Sequence, residues 1–539
     1  MVNNVVSENN IRILSSKQKS TGLLNKFNLD VYYELLDKHG LNKTWNKILK
    51  EFKYYSLDEL NQTFLKFDDI GELYEIGLAY TNKIEKKEMG KYYTPVDVAE
   101  VMAKLLLEND NIESIADVAC GTGNLIIEVI RQIKETNKFD IINFIKQRNL
   151  YLYDLDGLAI RICIAKIELI LGEPLKEFIN IKEGDFLNKK TLLPQNCSVI
   201  TNPPYSLIKA YRSTWGESEV LRQSRDFYAG FMDKIMNYCK NAVIVSPQSF
   251  LVSDKFSLLR EKLGSRFYGE IFSFDNVPGT LFNGRKHGIF NTNNANGVRA
   301  SITSIKRNGH QGFKLTHLIR FKSDQRASVI DLKFLRSKLG DTVQNLKVPL
   351  KVFKELEPFI QEILDSERIE IAELIEEDPD KQCERFKINV STSARYFTVA
   401  SIRDLDRNGV YSIYAKNERF FKLIYALISS SYVYMWWRFF DGGILFTKKW
   451  LLKTPVSQSV INKVDDIAAI VDEMIDNEHN YLSYKMNAGK AQESIKFPVK
   501  YRNRINKTLF REYSEYFELL HRNNEVHNHE DKWGFKIFI

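Results

Sequence analysis

At 539 residues the chain is too long for one ordinary core, and two or three domains are expected. A composition of 44% hydrophobic and 27% charged residues excludes a disordered or fibrous class; no apolar run nears the roughly 18 residues of a bilayer span, so no secretory signal or membrane partner is expected. The five cysteines (Cys120, Cys163, Cys197, Cys239, Cys383) are scattered without metal-ligand spacing, which implies a reduced, cytoplasmic setting without a metal site, and the net charge of +8 suits a polyanion partner without requiring one.

In chain order, residues 1–85 read as an N-terminal helical segment, with apolar positions at three- and four-residue steps through Val31-Tyr32-Leu35-Leu36 and Ile70-Leu73-Tyr74. From 86 to 325 the pattern becomes strand alternating with helix. Strands are expected at Ser114–Val118, Leu150–Tyr153, Ile179–Lys182, Cys197–Thr201, Ala242–Ser246 and Glu270–Phe274, with a late pair around Val298–Lys306 and Phe313–Phe321. Such alternation implies an α/β fold with a doubly wound, Rossmann-like sheet. Residues 326–539 lose the alternation and read as a separate α+β module. It opens with an acidic helix over Phe353–Glu377, continues with a helix over Glu418–Phe440 and the glycine turn Gly442-Gly443, and closes with a helical, charged tail. Basic residues dominate from Arg285 to Lys351 and again after Arg395; a solvated face explains any one such run equally well.

Four motifs along the strands of the α/β region, and one ahead of its first strand, carry chemistry. Asp117-Val118-Ala119-Cys120-Gly121-Thr122-Gly123-Asn124 runs from a strand into a glycine-rich turn and a helix start. Gly121 and Gly123 let the backbone approach a ligand, and the acidic strand end with small Ala119 suits a nucleoside bearing an amino-acid tail. Asp154, at the end of the next strand, is placed to hold both hydroxyls of a ribose; Asp156 is the alternative, or an N-cap for the following helix. Asp185-Phe186 after the third strand offers a carboxylate acceptor and an aromatic face to an adenine ring. Upstream, Tyr93-Thr94-Pro95 opens a helix near Val98, with Thr94 near the N-cap and Pro95 near N1; it is read either as a plain cap or as a closure over the ligand's tail.

The fourth motif weighs most. In Asn202-Pro203-Pro204-Tyr205 an apolar strand stops at two prolines, which supply no sheet donors and stiffen the loop. The Asn202 amide oxygen and a neighbouring carbonyl then offer two acceptors to one planar NH2 group. Two acceptors favour a more tetrahedral nitrogen whose lone pair can attack a methyl sulfonium, which is preorganised stabilisation of developing charge. Tyr205 supplies a ring on which an extruded base can stack. Lys209, Arg212, Arg222 and Arg225, just downstream, either clamp phosphates or form a solvated loop.

In this order the motifs resemble the γ-class DNA N6-adenine methyltransferases, over about residues 70–320. A looser similarity to C-terminal target-recognition domains covers Leu423–Phe440 and Trp450–Pro455. The resemblance implies S-adenosyl-L-methionine as cofactor, bound by Tyr93, Thr94, Asp117, Ala119, Cys120, Gly121, Gly123, Asn124, Asp154, Asp185 and Phe186. It implies catalysis by Asn202, Pro203, Pro204 and Tyr205, and double-stranded DNA as partner, met by a monomer that a separate endonuclease can accompany. The family's second base-sandwiching aromatic is missing from the strand Val298–Ile305, and Phe290 is the stand-in or else a core residue. RNA and protein-glutamine N-methyltransferases share the Asn-Pro-Pro-Tyr loop and remain alternatives, as does a non-catalytic DNA-binding subunit.

Overall fold

The computed structural model describes residue 71 and residues 94–521, apart from residues 110, 283–297, 308–311, 345, 348–349, 378–382, 395, 441–444 and 488–489. The helical segment expected over 1–85, apart from Gly71, lies outside the described residues, as do Tyr93, Phe290, Arg395 and Gly442-Gly443.

All eight expected strands form, and a ninth follows: β1 Ile115–Asp117, β2 Leu150–Asp154, β3 Asn180–Glu183, β4 Cys197–Thr201, β5 Cys239–Pro247, β6 Phe267–Phe274, β7 Ala300–Arg307, β8 Phe313–Ile319 and β9 Leu339–Val343. They make one sheet in the order β3-β2-β1-β4-β5-β7-β6-β8-β9. Strands β1 to β5 are parallel. Because β7 is antiparallel to both β5 and β6, β6 points the same way as β5. The carboxyl ends of β1, β2, β4, β5 and β6 therefore share one side of the sheet. The order reverses between β1 and β4, and at such a switch point a cleft opens beyond the strand ends.

Burial explains the apolar runs. Strand β4 is buried throughout and β5 nearly so, because helices cover both faces. One face packs Val96–Leu107, Asn124–Thr136 and Gly157–Leu171 against the sheet through Met102, Ile126 and Ile164. The other packs Phe227–Ile235 and Ser257–Arg266 through Met232, Leu259 and Leu263. Helix Gly157–Leu171 starts where the Asp156 side chain accepts from Leu158 and Ala159 N–H, and it stops at Gly172 in the left-handed region. This is the N-cap reading of Asp156.

Several boundaries differ from expectation. Helix Val96–Leu107 begins two residues before Val98 and takes Pro95, not Thr94, as its N-cap. Strand β9 extends the sheet past residue 325, so the expected domain boundary falls inside the sheet. The expected acidic helix divides into Glu357–Asp365 and a short strand, β10 (Arg368–Glu370), which pairs with Pro455–Ser457. Tertiary pairing overrides its helical pattern. The expected helix Glu418–Phe440 breaks into Glu418–Ser429 and Tyr432–Phe440 at Ser430-Ser431. Ser430 Oγ donates to Leu427 O, and Ser431 N–H donates to Asn506 Oδ1, so side-chain hydrogen bonding replaces the helical ladder. The tail is not wholly helical: a hairpin, Leu482–Asn487 with Lys490–Ile495, precedes the helix Val499–Leu509. These C-terminal elements pack a core of their own around Leu423, Tyr432, Trp437, Val471 and Ile505.

Candidate functional site

Three strand ends converge at the switch point. Past β1 the chain turns at Gly121 (φ 50°) and Gly123 (φ 92°), both left-handed. A Cβ on Gly123 would stand 2.5 Å from Cys163 Sγ, so glycine is required there by conformation and by space. Helix Asn124–Thr136 begins at once, aiming its N-terminal N–H groups back at the turn. Past β2, Asp154 braces that turn: Oδ2 accepts from Gly121 N–H at 2.9 Å and Oδ1 from Asp156 N–H at 2.9 Å.

Asp117, at the end of β1, is 1% exposed. Its Oδ1 accepts from Ala119 N–H at 3.2 Å, while Oδ2 makes no hydrogen bond of normal geometry to the protein. Burial pushes its carboxyl up to about 7, against the pull of the Ala119 amide and the neighbouring Thr201 hydroxyl. Cys120 is buried beside Cys163, and that contact together with burial pushes its thiol well up, so it serves as a packed small residue. Asn124 bridges two elements: Nδ2 donates to Thr94 O at 3.2 Å, and Oδ1 accepts from Lys166 Nζ at 3.3 Å.

Asn202 follows β4 directly, with Pro203 buried behind it. Its Nδ2 donates to Thr94 Oγ1 at 3.1 Å, and its Oδ1 accepts from the Tyr205 hydroxyl at 2.6 Å. That hydroxyl also faces Val245 O at 3.1 Å. The half-buried Tyr205 ring packs edge-to-face with Tyr228 and Phe282, at 6.5 and 5.9 Å between centroids. The structure thus brings Thr94, Asn124, Asn202 and Tyr205 into one hydrogen-bonded group. Spacing in the sequence did not signal that Thr94 would touch Asn202.

The Asp185-Phe186 pair is held by protein neighbours at the end of β3. Asp185 Oδ1 accepts from Leu187 N–H at 2.9 Å, and Oδ2 accepts from Trp215 Nε1 at 2.7 Å, with Arg212 at 3.4 Å. Phe186 is 2% exposed and packs against Tyr153 and Phe231, with the Lys234 ammonium over its ring, so its faces serve the core. Trp215 had carried no signal in the sequence. Its indole ties the cation-bearing loop after Tyr205 to the end of β3.

A second cluster lies at the same side of the sheet. Asp275, just past β6, is fully buried among Arg299, Arg320 and Arg438. Arg320 Nε donates to it at 2.7 Å and Arg438 at 3.1 Å, and Arg299 Nε lies 3.6 Å away. Burial raises its carboxyl, but the three guanidinium groups outweigh that and hold it at about 2. Arg438 belongs to the C-terminal helix Tyr432–Phe440, and Arg320 also meets Tyr434 Oη at 2.8 Å and the Leu520 carbonyl. These contacts fasten the C-terminal core to the sheet end that carries Asp117, Asp154 and Asn202. Among the described residues no group of His, Cys, Asp or Glu is arranged to hold a metal, and no helix is long and apolar enough to cross a membrane.

Residues 65–263 match the family model described as N-6 DNA Methylase. Over 232 residues, 41% of this chain and 52% of the relative, the sequence is 28% identical to the type II methyltransferase M.VspI of Vibrio sp.. It is 33% identical over 28% of this chain to the type I restriction enzyme MjaVII methylase subunit of Methanocaldococcus jannaschii, of which 24% is covered. The chain thus spans about half the length of the first relative and about a quarter of the second. Among solved structures, a modification subunit of a putative type I restriction enzyme from Vibrio vulnificus aligns with a TM-score of 0.38 at 16% identity, covering 53% of this chain and 60% of that one.

Proposed function

We propose that this chain, which carries an N-6 DNA Methylase segment over residues 65–263, transfers a methyl group from S-adenosylmethionine to N6 of adenine in duplex DNA. The observation that carries the reading is the placement of the Asn202 amide and its two following prolines at the end of β4, beside the glycine turn of β1 and the braced carboxylate of β2. When bound, S-adenosylmethionine supplies a methyl group activated by its sulfonium. The residues present fit it. Asp154, at the end of β2, would take the ribose hydroxyls, and the Gly121–Asn124 turn would admit the tail. The buried Asp117 oxygen without a protein hydrogen bond suits a cationic amine.

On the acceptor side, Asn202 Oδ1 and a carbonyl of the rigid Pro203-Pro204 pair would accept both hydrogens of an exocyclic amine, holding the nitrogen lone pair available for in-line attack. Tyr205 would provide an aromatic surface beside the extruded base. The C-terminal core is fastened to this same side of the sheet through Asp275, and on this reading it would contact the duplex. The chain would bind DNA as a monomer. Because one relative is named a type I restriction enzyme methylase subunit, association with further chains, an endonuclease among them, belongs to the same proposal.

The test is incubation with methyl-tritiated S-adenosylmethionine and unmethylated bacterial genomic DNA, followed by mapping of modified bases by sequencing. The reading requires label on adenine at a recurrent sequence. Label confined to RNA, to protein or to cytosine would overturn it, as would DNA binding without transfer.

A further inference from the structure

Thr94 was expected to cap a helix or to close over the ligand, and the structure gives its hydroxyl another partner. Pro95 holds the N-cap position, and the Thr94 side chain, 5% exposed, makes no cap bond. Instead its Oγ1 accepts from Asn202 Nδ2 at 3.1 Å. A carboxamide can turn end for end about its last bond, and only one of its two orientations offers an acceptor to an incoming amine. The Thr94 hydroxyl, which can donate or accept, anchors the nitrogen end and so fixes where the carboxamide lies. The oxygen end is addressed separately by the Tyr205 hydroxyl at 2.6 Å. Since Val245 O lies 3.1 Å from the same hydroxyl, its single proton can pass to Val245 when an amine arrives at Asn202.

Thr94 also reaches toward the glycine turn. Its carbonyl accepts from Asn124, the first residue of the helix behind Gly121-Thr122-Gly123, and Asn124 is held in turn by Lys166. A continuous line of hydrogen bonds therefore runs from Lys166 through Asn124 and Thr94 to Asn202 and Tyr205. It crosses from the turn past β1 to the loop past β4 through a residue that is on neither strand.

We propose that Thr94 is a positioning residue that anchors the Asn202 amide in place for the acceptor amine and couples that setting to the glycine turn through Asn124. The inference rests on the methyltransferase reading above. It assigns to Thr94 no contact with either substrate.

The experiment compares wild type with Thr94→Val, which keeps the side-chain shape without the hydroxyl, and with Thr94→Ser, which keeps the hydroxyl. Each is assayed on unmethylated bacterial genomic DNA with tritiated S-adenosylmethionine under single-turnover conditions, and each is titrated with S-adenosylhomocysteine by calorimetry. Thr94→Val is expected to slow transfer by about 10- to 100-fold, the scale of a small misplacement of a reacting group. Its burst amplitude and product-analogue affinity stay within about threefold, and Thr94→Ser recovers most of the rate. A Thr94→Val rate within about twofold of wild type would overturn the assignment, as would a loss matched by weaker analogue binding or by lost amplitude. Failure of Thr94→Ser to recover the rate would overturn it too. An inert wild-type protein would instead overturn the methyltransferase reading, and this inference with it.

Discussion

Around Asn202 the hydrogen bonds join mostly neutral groups, two amides, a threonine and a tyrosine hydroxyl and two backbone carbonyls, with the Lys166 ammonium at one end. Around Asp275, on the same side of the sheet, it is lined by three guanidinium groups and one carboxylate, all buried. Neutral hydrogen bonds are worth about 1 kcal/mol each in net terms, and their donors can exchange acceptors cheaply. A buried ion pair is another matter, because removing one partner leaves the others charged and desolvated. The first arrangement can readjust when a substrate arrives, and the second holds two cores in fixed relation while it does.

That contrast can be broken at either end. The largest effect is expected for Asp275→Ala, which strands three arginines; it should cost about 3–5 kcal/mol in denaturant unfolding. A loss below about 1 kcal/mol would show that the junction is not held by its charges. Next, Asn202→Ala should lower the single-turnover rate of methyl transfer by about 10²–10³-fold, with cofactor affinity within about threefold. Full activity in that variant would remove the loop from the chemistry.

Smaller in reach, Asp154→Ala should weaken S-adenosylmethionine binding by roughly 10- to 100-fold, since it loses charged hydrogen bonds both to the turn and to the ligand. Unchanged calorimetric affinity would move the ribose contact elsewhere. The smallest effect concerns pH. Burial sets the Asp117 carboxyl at about 7 in the folded chain, against roughly 3.9 in an unfolded one. The folded state thus keeps a proton that the unfolded state releases. This group's contribution is complete below about pH 4 and is lost as pH rises to about 7. In the cofactor-free protein, Asp117→Asn should flatten that part of the fall in melting temperature between pH 5 and 7.5, and parallel wild-type and variant profiles would contradict it.

Much of the α/β region was legible because its signals are local. Apolar runs ending in Gly, Asn or Asp mark strands, and β1 to β8 form where those runs predict them. Gly121 and Gly123 mark a turn that only left-handed backbone can make, and two prolines end β4. Pattern failed where a distant partner decides. The helix expected over Glu418–Phe440 stops at Ser430 because Asn506 competes for the backbone of Ser431. The acidic stretch after Asp365 becomes a strand because Pro455–Ser457 is there to pair with it.

The sequence by itself determined the order of strands and turns along the α/β region, and the residue types that end each strand. Those choices depend on backbone conformation and on periodicity of burial, which act over a few residues. Only the tertiary structure decided which side chains those strand ends share. Asp185 went to Trp215, Phe186 to the core, and the Thr94 hydroxyl to Asn202, 108 residues away along the chain. A buried polar atom takes whichever partner the fold delivers to it, and no local pattern encodes that encounter.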